Sequence, residues 1–517
     1  MSDIVLDGPA CADGAHTLGR WLTDRAIATP DHVAIDDRGV RIGYGELEKR
    51  ARRLARALRR AGYGPGARIA TVSGNSIDHV VAFFACAKAG IAFVPLSWRS
   101  SARELGDLLE HAAPVLVLVE DEYVALADDA FRRVASRPPV AALGTTGIEA
   151  AVPERVGEGE MRRGVRDDDP LLVIYTSGSE AAPKGVVLTH ANCFWNNLAL
   201  AGATQLTADD VVLAMLPQFH VAAWNCQPLL AWWVGATVVL ERSFQPRRIL
   251  QLLADRGVTA MMGVPTQYRL LADDPGFAEL APASLRVALV GGATMPDDLA
   301  QRWADAGLPL TQGYGLTEAA PNVLCAGRPY PHVDVRLVDP SSQLPLEGVA
   351  RGELWVRGPS VFAGYLGDPD ATSRALVHTP EGVWLRTGDI VRRGGDGLLQ
   401  ILDRVKDIYI SGGENVAPAD VERALCRHPG IADAAVVGVP DAVWGERGVA
   451  FVVPAAEARL SEDEVLAHAR GELAGFKVPV RVVFVDDLPR STIEKLARSR
   501  LRARAIELVK GTAHEHR

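Results

Sequence analysis

The stretch from Tyr175 to His190 reads YTSGSEAAPKGVVLTH. Ser177, Gly178 and Ser179 offer hydroxyls and closely approachable backbone N–H groups, and Lys184 brings a mobile ammonium. Such a set suits the oxygens of a phosphate chain. A helix expected to open soon after the lysine would add the positive end of its dipole. The loop is not a Walker loop, which needs Gly-Lys-Ser/Thr: Lys184 stands between Pro183 and Gly185. Glu180 sits at its centre. A carboxylate about 4 Å from a phosphate would cost on the order of 1–4 kcal/mol, so Glu180 should point away from the phosphates or toward a cation. A polar turn joining a strand to a helix is the alternative reading of the same residues.

The elements around this loop alternate. TLGRWLTDRAIATPDHVAI reads as a helix, a break at proline, then a strand. YGELEKRARRLARALRRAGYGPGARIATVS is a long amphipathic helix stopped by Gly62, Gly64 and Pro65 before a strand. HVVAFFACAKAGIAFVPL gives another helix and a buried strand. The alternation runs to about residue 300 and argues α/β architecture with largely parallel sheets. Beyond residue 330, VDVRLVD, GELWVRG and GLLQILDRVKDIYIS look like antiparallel strands. The expected fold is therefore α/β and α+β: a large N-terminal domain of α/β sheets with a small β-barrel-like subdomain over 1–403, and a small mobile α+β domain over 404–517.

With 517 residues, 48% apolar and 23% charged, the chain has the composition of a soluble globular protein of two or more domains. The net charge of −9 and the lack of a long basic run argue against nucleic acid. Its six cysteines are scattered without a Cys-x-x-Cys pair, which reads as buried reduced thiols in a cytoplasmic enzyme rather than a zinc site. The start of the chain shows no signal peptide, and no apolar run reaches the roughly 20 residues of a membrane span.

Eight segments, in order, give the chain a family likeness. They are AKAGIAFVPLSWR, YTSGSEAAPKGV, LPQFHVAAWN, VGGATMP, QGYGLTEAAP, WLRTGD, DRVKDIYISGGENVAPADVE and LPRSTIEKLARSRLR. Together they resemble the adenylate-forming superfamily of acyl-CoA synthetases, aryl-CoA ligases, luciferases and peptide-synthetase adenylation domains, closest in look to the fatty acyl-CoA synthetases. The resemblance implies ATP-dependent activation of a monocarboxylic fatty or aromatic acid as an acyl-adenylate, release of pyrophosphate, and transfer to coenzyme A, with magnesium required. It implies a monomer or homodimer. It places Thr176, Ser177, Gly178, Ser179 and Lys184 on the phosphates, and Gly291, Gly292, Ala293, Gly313, Tyr314 and Gly315 around adenine. Thr317 would contact the α-phosphate, Glu318 would ligate magnesium, and Asp389 and Arg404 would reach the ribose. His220 matches the residue near the carboxylate, Lys406 the hinge, Gly413 the thiol tunnel, and Lys495 the late catalytic lysine. Trp224, Asn225, Met262, Gly263, Thr266 and Val323 fall in segments that match the acid pocket, with no Lys or Arg among them to pair a second carboxylate.

The sequence also departs from the family pattern. Glu180 and Ala181 replace a threonine and a glycine, and Ile493 and Glu494 replace a hydroxyl residue and a glycine before Lys495. A loop that many members carry after the QGYGLTEAAP segment is reduced to Ala326 between Cys325 and Gly327. These departures keep two alternatives in view. One is an adenylate-forming enzyme with a carrier-protein thiol or amine acceptor, including an ATP-dependent diazotase that activates nitrite. The other is a catalytically degenerate nucleotide-binding protein.

Overall fold

A computed structural model describes residues 16–143, 164–176, 184–277, 284–293, 295–308, 310–404, 407–411, 414–441, 443–456, 458–490 and 496–514. The expectations for Ser177, Gly178, Ser179, Glu180, Lys406, Gly413 and Lys495 lie outside these residues. The chain divides into two compact units, one of residues 1–334 and 356–385, the other of 335–355 and 386–517. The first is the larger and carries the α/β sheets; the second is smaller and mainly antiparallel.

The helix Tyr44–Arg60 shows how the local rules work. Leu47, Ala51, Leu54, Ala55 and Leu58 are buried at helical spacing. Gly62 then takes a positive φ of 87° and the chain enters the strand Arg68–Val72. Ser76 opens the next helix, Ile77–Ala89, by accepting from the His79 N–H, and Gly90 closes it at φ 73°. The strand Ala92–Leu96 that follows is wholly buried.

Two large sheets dominate the first unit. A seven-stranded sheet runs, by residue, 364–365, 184–189, 170–176, 92–96, 68–72, 116–120, 140–143. A nine-stranded sheet runs 328–329, 322–325, 311–315, 287–290, 260–263, 211–214, 237–240, 33–37, 40–43. Their interior pairings are parallel, as in Phe93↔Leu172 and Leu289↔Thr311; antiparallel pairs close both edges of the nine-stranded sheet and one edge of the seven-stranded sheet, whose other edge strand Val140–Leu143 pairs in parallel.

One expectation is corrected here. The segment after the phosphate-type loop is not a helix start. Lys184–Thr189 is a strand that pairs back on Pro170–Thr176, with Thr176 opposite Lys184. The helix His190–Thr204 begins only after it, with Thr189 and Asn192 forming a capping box. At about 3.3 Å per residue, the strand puts that helix end far beyond the first-turn range of its dipole from Lys184. The dipole of that helix therefore does not reach the lysine, which stands at the start of a hairpin strand. A Cβ at Gly185 would be tight there, 3.2 Å from both the Leu366 and Val173 side chains.

The cysteines also differ in part from expectation. Cys86, Cys193 and Cys226 are buried free thiols, Cys325 is half-buried, and Cys426 is exposed at the end of the helix Pro418–Leu425.

In the second unit, residues 386–393 of the strand Gly382–Arg393 turn back on Leu399–Arg404, and a five-stranded sheet is built on the long hairpin Ile431–Asp441 and Gly445–Pro454. Its faces are covered by the apolar clusters around Val421, Val465 and Leu466, and around Leu488, Leu501 and Ala505. No helix is long and apolar enough to cross a membrane among the described residues.

Candidate active site

In open α/β sheets, ligands bind beyond the carboxyl ends of parallel strands. Three such ends meet in the first unit. The strand Ala260–Gly263 ends at Gly263, whose carbonyl accepts from the Gly291 N–H at 3.1 Å. Gly291 follows the strand Val287–Val290, and a Cβ there would lie 2.8 Å from Met262 Cε and 3.7 Å from the Gly313 carbonyl. The Gly263–Gly291 hydrogen bond ties two of these strand ends directly together. Gly292 adopts φ 83°, a left-handed value that suits glycine, and it is exposed together with Ala293. Gln312 fixes this lip: its Nε2 donates to the Val290 and Ala293 carbonyls, both at 3.3 Å, and its Oε1 accepts from the Met295 N–H.

The strand Thr311–Gly315 is paired on both sides, yet all five of its residues are only half-buried. Its buried neighbour Val287–Val290 has no such opening. Thr311 and Gln312 pair with Val287–Val290, while the half-open Gly313, Tyr314 and Gly315 pair with Asn322–Cys325 and can form the floor of a cleft. At Gly315 a Cβ would collide with the Pro321 carbonyl, so the return of the chain after the turn Thr317–Ala319 demands glycine.

That turn carries Thr317 and Glu318, both half-buried. Glu318 is held at two points: its carbonyl accepts from the Phe362 N–H at 2.8 Å, and its Oε1 accepts from the Tyr365 hydroxyl at 2.8 Å. Lys184 Nζ lies 5.4 Å from the centre of the same Tyr365 ring. The structure therefore brings Thr176, Lys184 and Glu318 into one neighbourhood through a residue the motifs did not single out. Tyr365 was legible only as the Gly-Tyr before an Asp-Pro helix start, in GYLGDPDAT.

His220 lies half-buried at the end of a clamped loop. Its neighbour Gln218 accepts from the Trp224 Nε1 at 2.7 Å through its carbonyl, donates its N–H to Asn75 Oδ1 at 3.0 Å, and meets His79 Nδ1 at 2.8 Å through Oε1. Thr71 Oγ1 takes the other ring nitrogen of His79 at 2.8 Å. Burial pushes His79 down to about 4 and His190 down to about 3, so both rings are neutral. The expected pocket residues divide. Met262 and Thr266 are half-buried, and Gly263 is buried beside them. Trp224, Asn225 and Val323 expose nothing. Trp224 stacks on Phe83 at 4.5 Å, and Asn225 joins a buried network with Asn196, Asn197, Asn322 and Cys193.

In the second unit Asp389 and Arg404 face each other across a hairpin, with Arg404 Nε 3.0 Å from Asp389 Oδ1. Both were expected to reach the ribose, and they are in contact with each other. Buried Glu353 holds this turn by accepting from Gly388 N–H at 3.2 Å and Arg386 Nη2 at 3.1 Å. The base of the segment that carries Lys495 is anchored as well: Arg490 bridges to Leu496, and Arg498 binds Glu422 at 2.5 and 2.9 Å.

Residues 22–366 match the family described as AMP-binding enzyme, and residues 420–495 match its C-terminal domain. The chain belongs to the AMP-binding enzymes. This AMP-binding enzyme is 40% identical over 500 residues to a feruloyl-CoA synthase of an Amycolatopsis species, covering 94% of this chain and 99% of that protein. It is 34% identical over 503 residues to an indoleacetate–CoA ligase of Aromatoleum aromaticum, covering 94% and 97%. Its fold matches ATP-bound MatB of Rhodopseudomonas palustris with a TM-score of 0.86 at 30% identity, covering 95% and 99%.

A magnesium ion suits this site only in company with a nucleotide. Among the described residues no group of three or more His, Cys, Asp or Glu could hold a metal. Magnesium, however, is commonly bound by one or two carboxylates plus substrate phosphates. Glu318, with Oε1 engaged by Tyr365 and its other oxygen without a hydrogen bond among the described residues, fits that arrangement.

Proposed function

We propose that this enzyme is an AMP-forming ligase that joins an aromatic monocarboxylic acid to coenzyme A. The observation that carries it is the convergence of Lys184 and Glu318 on Tyr365 beside the glycine-lined cleft floor at Gly291 and Gly313. The aromatic class is supported by the two aryl-acid ligases that span 94% of the chain, and by acid-side residues that bring no cation for a second carboxylate.

In the first step a carboxylate oxygen attacks the α-phosphorus of ATP, and pyrophosphate leaves. Two anions must approach, so the site has to supply positive charge and fixed dipoles. Lys184 with the loop from Thr176 to Ser179 holds the phosphates, and Thr317 steadies the α-phosphate. Tyr314 and the backbone of Gly291, Gly292, Ala293, Gly313 and Gly315 flank the adenine. Bound at Glu318, magnesium would neutralise phosphate charge. Lys495 bridges carboxylate and phosphate. In the second step the thiol of coenzyme A attacks the acyl carbonyl and AMP leaves. Residues 404–517 rotate about Lys406 between the steps, which withdraws Lys495 and brings Gly413 to the thiol. Asp389 and Arg404 form the ribose end, and His220 lines the way to the acyl carbon, with Met262, Gly263 and Thr266 at the ring of the acid. We place the enzyme in the cytoplasm as a monomer or homodimer, a compartment in keeping with its free thiols.

Pyrophosphate release over a panel of acids tests this reading. Cinnamic-type and indole acids should give the highest kcat/KM, with thioester formed only when coenzyme A is present. A preference for octanoate or malonate, or transfer to an amine in place of coenzyme A, would overturn it.

A further inference from the structure

We propose that Tyr365 is a positioning residue that sets both the magnesium-binding carboxylate and the phosphate-binding lysine. Its hydroxyl donates to Glu318 Oε1 at 2.8 Å, and its ring lies 5.4 Å from Lys184 Nζ, within the range of a cation–π contact. One side chain thus touches two groups of opposite charge in different ways. The phenol leaves one carboxylate oxygen for a cation and fixes the rotamer that presents it. The ring face steadies the ammonium.

The platform under this tyrosine is firm. Its strand pairs with Lys184–Thr189, with Tyr365 opposite Val186, and the Leu366 N–H donates to the Gly185 carbonyl at 2.7 Å. Its own N–H donates to Thr372 Oγ1 at 2.9 Å. Just upstream, the Asn192 amide donates to the Pro359 and Val361 carbonyls at 2.9 and 2.8 Å, so the helix that follows the phosphate hairpin holds the same segment. A shift of the hairpin is therefore carried to Glu318 through Tyr365. The inference rests on the reading of Glu318 as the magnesium ligand, and the test separates the two.

The test titrates magnesium against enzyme with ATP bound, followed by calorimetry or a fluorescent ATP analogue, so the readout is binding rather than turnover. Tyr365→Phe keeps the ring and removes the hydroxyl. It should weaken magnesium binding about five- to tenfold and leave metal-free ATP binding unchanged. Tyr365→Leu should weaken metal-free ATP binding as well, because the contact to Lys184 is lost. If Tyr365→Phe keeps wild-type magnesium affinity while Glu318→Gln loses it, the role of Tyr365 is refuted and that of Glu318 stands. If Glu318→Gln also keeps it, the reading of Glu318 falls and the inference with it. Equal weakening of metal-free and magnesium-bound ATP by Tyr365→Phe would refute positioning of the carboxylate. A fall in thermal stability with unchanged metal affinity would reduce the tyrosine to a structural part.

Discussion

Replacing Asn196 by alanine should weaken the first unit and disturb its site together. Asn196 is 1% exposed. Its Nδ2 donates to the Asn225 carbonyl at 2.9 Å, and its Oδ1 accepts from the Asn322 N–H at 3.1 Å and from Asn322 Nδ2 at 3.0 Å. Those bonds tie the helix His190–Thr204, the turn Ala222–Asn225 behind His220, and the strand Asn322–Cys325 that follows Glu318. Asn322 Nδ2 and the Asn225 carbonyl keep each other at 3.2 Å after the change, but the buried Asn322 N–H loses its partner. Each lost hydrogen bond is worth about 1 kcal/mol net, and a stranded buried donor costs about 1–3 kcal/mol, so a loss of about 3–5 kcal/mol is expected. Urea unfolding followed by tryptophan fluorescence measures it, with Trp224 adjacent to the network. Because the strand after Glu318 is no longer anchored, kcat/KM should fall even where the variant is folded. A loss below about 1 kcal/mol with normal activity would refute the view that this network positions the site.

Acid should destabilise the enzyme before its carboxylates titrate. His79 is held near 4 against an ordinary 6.5, so its contribution is complete above pH 6.5 and is lost as pH falls toward 4. That is a loss of order 3 kcal/mol, which His79→Gln should flatten in a stability-versus-pH curve; His190 acts in the same direction. Lys495→Ala should abolish most adenylation while a supplied acyl-adenylate is still converted to thioester, as separate half-reaction assays will show; equal loss of both would refute its role. Lys406→Pro fixes φ near −65° and should leave adenylation intact but slow thioester formation at least about tenfold, as read by rapid quench.

Much of this was written plainly in the sequence. Periodic leucines and alanines between glycines and prolines give the helix Tyr44–Arg60 and its strand, since burial at helical spacing leaves a strong local signal. The motif order gives the family, because the adenine and magnesium segments keep their residue types and the phosphate segment keeps its small residues and Lys184 around Glu180 and Ala181. Short apolar runs were less legible. Val186, Val187 and Leu188 serve a strand or a helix start equally well by pattern, and only pairing with Ile174 and Val173 decides for the strand. Asparagines on a helix read as solvent-facing, so the burial of Asn196 and Asn197 against Asn225 appears only when three distant segments meet. Tyr365 and Gln312 escaped for the same reason: their partners lie 47 residues away in one case and on a neighbouring lip in the other. The contact of Asp389 with Arg404 depends on hairpin register, which motif spacing does not encode.

The central claim, two half-reactions through an acyl-adenylate, is tested most directly by a single-turnover quench with ATP labelled at the α-phosphate. With an aromatic acid and no coenzyme A, labelled acyl-adenylate should build up to about one equivalent per enzyme as pyrophosphate is released. On addition of coenzyme A it should decay into AMP at the rate at which thioester appears, one for one. Labelled ADP in place of AMP, or AMP without matching thioester, would contradict the account.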